Sequence, residues 1–318
     1  SRNYGEMQTT GWEVALDFNH AFENGLRINA SGSLSDFQEK ITKFANTTRT
    51  TTSNYEGKVL GEIWGYETDR YFTNDDFQQD ANGGLVLVNG RPVLKPGIPS
   101  QAQFETSSFW FGPGDVKYKD LNGDGKIDQG ANTVENPGDQ RVIGNSTPRY
   151  QYGFRLGADW KGFDFDIYFQ GVGKRDLWVH APTTIPGISI GEGWYQHQLD
   201  YWTPENPNAF YPRPSNVGQT ANVTNFKIQT KYMLNMAYLR AKNIAFGYTL
   251  PASFTQKAKI QRARVYFSGE NLFEKDNLGA FSIDPEVDYT SIGLNDPRTF
   301  GRVYPYRRTV SFGLQVTL

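Results

Sequence analysis

Tyr152-Gly-Phe-Arg-Leu-Gly-Ala-Asp-Trp160, then Lys161-Gly162, then Phe163-Asp-Phe-Asp-Ile-Tyr-Phe-Gln170: this run alternates without a slip. Tyr152, Phe154, Leu156, Ala158 and Trp160 stand against Gly153, Arg155, Gly157 and Asp159. After two turn residues, Phe163, Phe165, Ile167 and Phe169 stand against Asp164, Asp166, Tyr168 and Gln170. A period of two is the repeat of a strand, whose successive side chains leave opposite faces. Lys161-Gly162 is a two-residue hairpin turn. The hairpin therefore has one wholly apolar face and one polar, charged face. Two environments accept such a ribbon. In a soluble sandwich the polar face meets water. In a membrane barrel the apolar face meets lipid and the polar face lines a wet lumen.

The same pattern recurs on both sides. Trp12, Val14, Leu16 and Phe18 alternate with polar residues, Glu23-Asn-Gly25 turns the chain, and Leu26, Ile28, Ala30 and Leu34 alternate back. A third hairpin runs Ala237 to Leu250, turns through Pro251 to Ile260 and returns from Arg264 to Asn271, and a last strand covers Tyr306 to Leu318. Long polar stretches separate these hairpins: 36–148, then Gly171 to Asn235, then Leu272 to Tyr304. Short turns and long loops thus alternate, which places all the long loops at one end of the strands. Outer-membrane barrels are built this way, with strands of roughly 10 residues crossing the bilayer. The strand count is odd, so the first and last strands need partners outside this sequence, and no globular plug precedes them. The opening Ser1-Arg-Asn-Tyr-Gly reads as the middle of a loop, which suggests a fragment or a processed product.

Composition narrows the classes. Mean hydropathy is −0.60 and no apolar run is long enough for a membrane helix, which leaves a barrel open because alternating strands average to a polar sequence. Net charge is −2 with no basic tract, so no nucleic-acid partner is expected. With Cys at 0, neither a disulfide framework nor a thiolate zinc site is available.

The first long loop carries Asp120-Leu-Asn-Gly-Asp-Gly-Lys-Ile-Asp128. Asp120, Asn122, Asp124 and Asp128 fall at alternate positions of a calcium-type loop, Gly125 sits at its sharp turn, and Lys126 offers a backbone carbonyl. The usual closing carboxylate position holds Ala131, so Asp139 is the candidate to close the shell, with Glu135 nearer. The flanks read as strands (Val116-Lys-Tyr118 before, Tyr150 onward after), so this is not an EF-hand between helices. The expected ligand is one structural Ca²⁺, with Mg²⁺ as the alternative. The plainer reading is a loop of Asx turns that needs no metal.

These stretches carry a resemblance. The Asp-rich run, Val142-Ile-Gly-Asn145-Ser-Thr-Pro-Arg-Tyr150, Tyr152-Gly-Phe, Phe169-Gln-Gly171, Tyr238-Leu-Arg-Ala-Lys-Asn-Ile244, Phe246-Gly-Tyr-Thr-Leu-Pro251, Val265-Tyr-Phe-Ser-Gly-Glu-Asn-Leu-Phe273 and the ending Thr309 to Leu318 are similar, in that order, to the late barrel of SusC/RagA-type TonB-dependent transporters. The sequence departs from that family in the longer insert before Asp139 and in ending on Leu318 rather than an aromatic. The resemblance implies an all-β, transmembrane antiparallel β-barrel of the bacterial outer membrane, 22-stranded as in the outer-membrane transporters. Residues 1–318 would be its C-terminal seven or so strands, without plug and TonB box, and 36–148 a long extracellular loop. It further implies a SusD-like surface lipoprotein as lid, TonB as energy coupler, and the remaining barrel and plug as partners.

The function implied is energised import of a bulky nutrient, an oligosaccharide favoured over a peptide, with no bond-making step and no catalytic residue. Aromatics on the long loops are the candidate substrate contacts: Trp64, Tyr66, Trp110, Phe111, Trp194, Tyr195 and Trp202. Flat rings suit sugar faces, though rings also dominate ordinary packing. The alternative is a soluble secreted calcium-dependent glycan-binding or glycoside-hydrolase β domain, with Asp164 and Asp166 as a carboxylate pair. His20, His180 and His197 show no metal or triad spacing.

Overall fold

The computed structural model describes residues 5–187, 193–215, 224–281, 283–287, 304 and 306–318. Seven strands form one antiparallel sheet: β1 (Gly5–Ala21), β2 (Arg27–Phe44), β3 (Arg149–Trp160), β4 (Phe163–Lys174), β5 (Tyr238–Thr249), β6 (Arg262–Asp276) and β7 (Thr309–Thr317). Each pairs with its neighbours in chain order, β1 and β7 standing at the two edges. Short turns join β1 to β2, β3 to β4 and β5 to β6, and the long loops leave the opposite end. At the β3–β4 turn both Lys161 (φ 47°) and Gly162 (φ 87°) are left-handed, the geometry whose twist matches the flanking strands. Among the described residues no helix is long and apolar enough to cross a membrane.

Register turns the alternation into two continuous faces. Across the apolar face Phe165 stands opposite Ala158 on β3 and Phe246 on β5, Phe246 opposite Phe267, and Phe267 opposite Phe312. Phe154 and Phe169 stack at 4.7 Å. Among the described residues nothing covers this face: Leu16 is 72% exposed, Phe312 81% and Leu314 65%. The opposite face carries Ser31, Arg155, Asp164, Asp166, Arg264 and Ser268, and its charges pair across strands. Arg155 Nε donates to Asp166 Oδ2 (2.6 Å) and Arg264 Nε to Asp164 Oδ1 (2.8 Å). An apolar outside and a paired polar inside is the arrangement of a membrane barrel wall.

The buried cores lie off the sheet, among the loops. One cluster joins Tyr66, Phe72, Phe104 and Tyr118 of the first long loop to Tyr211, Phe226 and Tyr232 of the second. Another joins Leu177 and Leu234 to Leu278 and Phe281 of the third. Short ladders brace them: Glu62–Tyr66 with Gln140–Asn145, and Thr68–Tyr71 with Val116–Tyr118. The described parts of the long loops thus pack together as a cap over the wall.

Several boundaries differ from the sequence expectation: β4 continues to Lys174 and β6 to Asp276, so the second and third long loops begin later than Gly171 and Leu272. β2 continues to Phe44, so the first long loop begins at residue 45 rather than 36. β1 starts at Gly5, and β7 covers only Thr309–Thr317. Beyond the apolar belt polar and apolar residues mix on both strand faces, so pairing continues where the alternation has faded.

Candidate functional site

Where the polar face meets the roots of the cap lies a cavity of about 900 Å³. Its floor is the sheet: Ser33 and Ser35 of β2, Gln151 of β3, Tyr168 and Gln170 of β4, and Tyr238 of β5. These residues converge because i and i+2 share a strand face and register aligns neighbours: Ser33 opposes Gly153, which opposes Gln170. Gly153 matters sterically. A Cβ there would come within 2.9 Å of the Tyr168 hydroxyl, so glycine is what lets that ring lie across β3.

The roof comes from the first and third loops, with Arg175 at the start of the second. Thr147 and Pro148 belong to the Val142–Tyr150 motif, whose polar residues tie the loop back to its root. Asn145 Nδ2 donates to Leu60 O (3.0 Å), and Asn145 Oδ1 accepts the Thr147 N–H (2.8 Å). Arg149 Nη2 donates to the buried Asp36 (2.6 Å). From the third loop come Pro285, Glu286 and Tyr306. Beside them Arg240 is 2% exposed and binds three carboxylates, Glu274 on β6 (2.6 Å), Asp284 (2.7 Å) and Glu286. A β-bulge sets this up. Tyr168 opposes Asn243 but Phe169 opposes Ala241, leaving Lys242 as the extra residue. Without it Arg240 would share the face of Ile244 and Phe246; with it Arg240 opposes Gln170 and turns inward.

The aromatic candidates scatter. Tyr66 (3% exposed) and Phe111 (4%) are buried in the cap core, which removes them from contact with a ligand. Burial raises the Tyr66 phenol well above its ordinary range. Trp64 is half-buried, its indole N–H bonded to Tyr55 and Glu62. Trp202 lies on Gly114, where any Cβ would be 2.3 Å from the indole. Trp110 sits beneath Arg91 (6.0 Å), and Trp194, 40% exposed, meets Tyr201 edge-on. Tyr195 accompanies His197 at 5.8 Å. None of the seven lines the cavity.

In the Asp-rich loop each acid or amide turns to backbone. Asp120 accepts from Gly123 and Gly125, Asn122 from Asp124, Asp124 from Lys126, and Asp128 from Gly130. Asp139 is fully buried, and its two oxygens accept the Leu121 (2.7 Å) and Asp128 (2.8 Å) N–H groups, clasping both ends of the run. Burial pushes its carboxyl above the usual range, these hydrogen bonds offsetting part of the effect. Among the described residues no three acid or histidine side chains gather as a metal-holding group. Ile127, fully buried, plugs the loop into the cap core, an anchor the spacing argument overlooked. Lys126 is exposed.

A wall with a lipid-type outer face, a paired polar inner face and a folded cap defines part of a transmembrane β-barrel. No family model matches the chain. Two curated relatives from Formosa agariphila do: TonB-dependent receptor P3, 27% identical over 99% of this chain, and TonB-dependent receptor P26, 25% identical over 99%. Solved structures of RagAB, a peptide transporter, superpose over 99% of this chain with TM-scores of 0.61 and, in a closed-closed state, 0.60, at 20% identity. The chain spans about 30% of the length of these relatives (29–30%). The resemblance to SusC/RagA-type TonB-dependent receptors is borne out along the chain, and the fold is that of a portion of such a barrel.

Proposed function

We propose that this portion forms wall, cavity and outer cap of an outer-membrane importer that is energised through TonB and covered by a SusD-like lipoprotein, with a bulky hydroxylated nutrient, an oligosaccharide, as cargo. The cavity carries the reading. Its floor offers hydroxyls and amides (Ser33, Ser35, Gln151, Gln170) beside the phenols of Tyr168 and Tyr238, while Glu286 is already paired with Arg240 and Lys242. Glu39 and the buried Arg175 also line the cavity; the rest of its lining is neutral donors and acceptors beside ring faces, which suit sugar hydroxyls. The hydrolase alternative loses its acid pair, since Asp164 and Asp166 are each held by a different arginine. RagAB makes peptide the competing cargo.

The test uses the complete receptor in cells. Removing the Tyr168 and Gln170 side chains should lower uptake of a fluorescent oligosaccharide roughly thirtyfold, at about 1 kcal/mol for each of two lost hydrogen bonds. A loss confined to a labelled oligopeptide would reassign the cargo, and unchanged uptake of both would end the reading.

The same proposal gives the Asp-rich loop one Ca²⁺. Support comes from the donor spacing, and from the Asp124 and Asp128 oxygens that no turn bond uses. Millimolar calcium should then slow proteolysis between Tyr118 and Arg141, and Asp124→Ala should abolish that protection. Equal cleavage with calcium and with chelator would leave the loop a set of Asx turns.

A further inference from the structure

The third loop reaches the cavity through two attachments of opposite character. On the cap side Leu278 and Phe281 pack with Leu177, Leu234 and Met236, and Ile283 and Val287 join them. That contact is apolar and independent of charge. On the wall side the contact is ionic. Arg240 binds Asp284 and Glu286 of the loop as well as Glu274 of β6, and Lys242 Nζ binds Glu286 (2.8 Å). Tyr306 completes it: its N–H donates to Asp284 Oδ2 (3.1 Å), and its ring lies 5.0 Å from the Arg240 guanidinium and 4.6 Å from Lys242 Nζ.

We infer that Arg240 is a positioning residue for the cavity, a latch that holds Glu286 and Tyr306 in its side wall. The charge count gives the latch its sense. Among the described residues three carboxylates face two cations, so removing Arg240 leaves Glu274, Asp284 and Glu286 around Lys242. The loop and the wall then repel. A buried charge stripped of its partner is strongly unfavourable, so the loop moves out to solvate its acids. The bulge at Lys242 belongs to the same device, since it alone turns Arg240 inward. The role assigned to Arg240 rests on the cavity being where cargo is held; its test does not.

The experiment measures the spacing of loop and wall in the complete receptor in outer membranes without cargo. Spin labels go on cysteines at Tyr304 (88% exposed) and at exposed Lys275 of β6; this portion has Cys at 0, and any cysteine elsewhere in the receptor is changed to serine. Electron–electron double resonance should give one narrow distance in the parent. Arg240→Gln should broaden it and shift it outward by several ångströms. Asp284→Asn with Glu286→Gln leaves the Arg240–Glu274 pair in the wall and should do the same, which covers the case that Arg240→Gln does not assemble. A distance that stays narrow in the loop variant overturns the latch. If the distances shift as expected while uptake of sugar and peptide is indifferent to Tyr168 and Gln170, the latch stands and the cargo reading falls.

Discussion

At the scale of the residue, cap stability rests on a few buried polar groups that serve several partners. Tyr118 is 1% exposed; its hydroxyl donates to Thr224 O (2.9 Å) and accepts from the Lys227 N–H and Gln229 Nε2, both 3.3 Å. Tyr118→Phe keeps the ring and deletes these three hydrogen bonds, although Gln229 Nε2 still donates to Asn225 O and Lys227 O, so the cap should lose about 1–3 kcal/mol, read as faster protease cleavage of the loops. Asp76 gives a pH signature. Burial pushes its carboxyl up, but the Arg70 hydrogen bonds, the Thr73 N–H and the Lys117 charge outweigh that and hold it below the usual range. A carboxylate lowered on folding stabilises fully above its unfolded value and less as pH falls through its folded one. Cap protection should therefore drop on acidification below the ordinary carboxylate range. Asp76→Asn should remove this part of the acid dependence and cost about 1.5–3 kcal/mol at neutral pH, since the charge-assisted bonds are lost. An acid profile identical in both proteins would show that Asp76 titrates unperturbed.

At the scale of the element, the strands were legible and their irregularities were not. Phe163 to Gln170 announced a two-faced strand because every apolar side chain needs lipid and every polar one needs water. The register confirms it, with Phe165 between Ala158 and Phe246 on the outer face. Phe165→Arg places a charge on that face and should destabilise the barrel by about 2–4 kcal/mol if the residue sits near the midplane, falling toward zero at the interface. Urea unfolding in lipid vesicles measures it, and a cost below ~1 kcal/mol would put Phe165 at the rim. The Lys242 bulge left no mark in Tyr238-Leu-Arg-Ala-Lys-Asn-Ile244, because an extra residue changes which face follows without changing residue types. The cap aromatics misled for a related reason. Tyr66, Tyr118 and Tyr211 lie far apart in sequence with no period, so nothing local told a ring bound for a core from one left for a ligand. The cavity escaped likewise: its floor draws single residues from several strands, each unremarkable alone. In the Asp-rich loop the spacing was legible, but the same oxygens serve turns and cations equally well, so spacing alone did not fix their use.

At the scale of the molecule, the chain separates its two kinds of apolar surface. Cap rings are buried against one another as in a soluble domain, while the belt from Val14 to Val316 stays uncovered. Water tolerates the first and not the second, so the wall requires lipid or detergent. Lipid imposes a further demand, because hydrocarbon offers no partner to an unpaired N–H or C=O. β2 to β6 each have two neighbours, whereas β1 and β7 have one, and they do not pair with each other. Residues 1–318 expressed alone should therefore fail to insert as a closed barrel. Open edges seventeen residues long on β1 and nine on β7 would instead recruit other chains and aggregate. Co-expression with the remaining strands of the barrel should restore a compact, heat-modifiable species on gels and a single set of protease-protected strands. The seven strands inserting alone as a monodisperse, heat-modifiable monomer would mean that β1 and β7 can close on each other, and the open-edged wall described here would then be wrong.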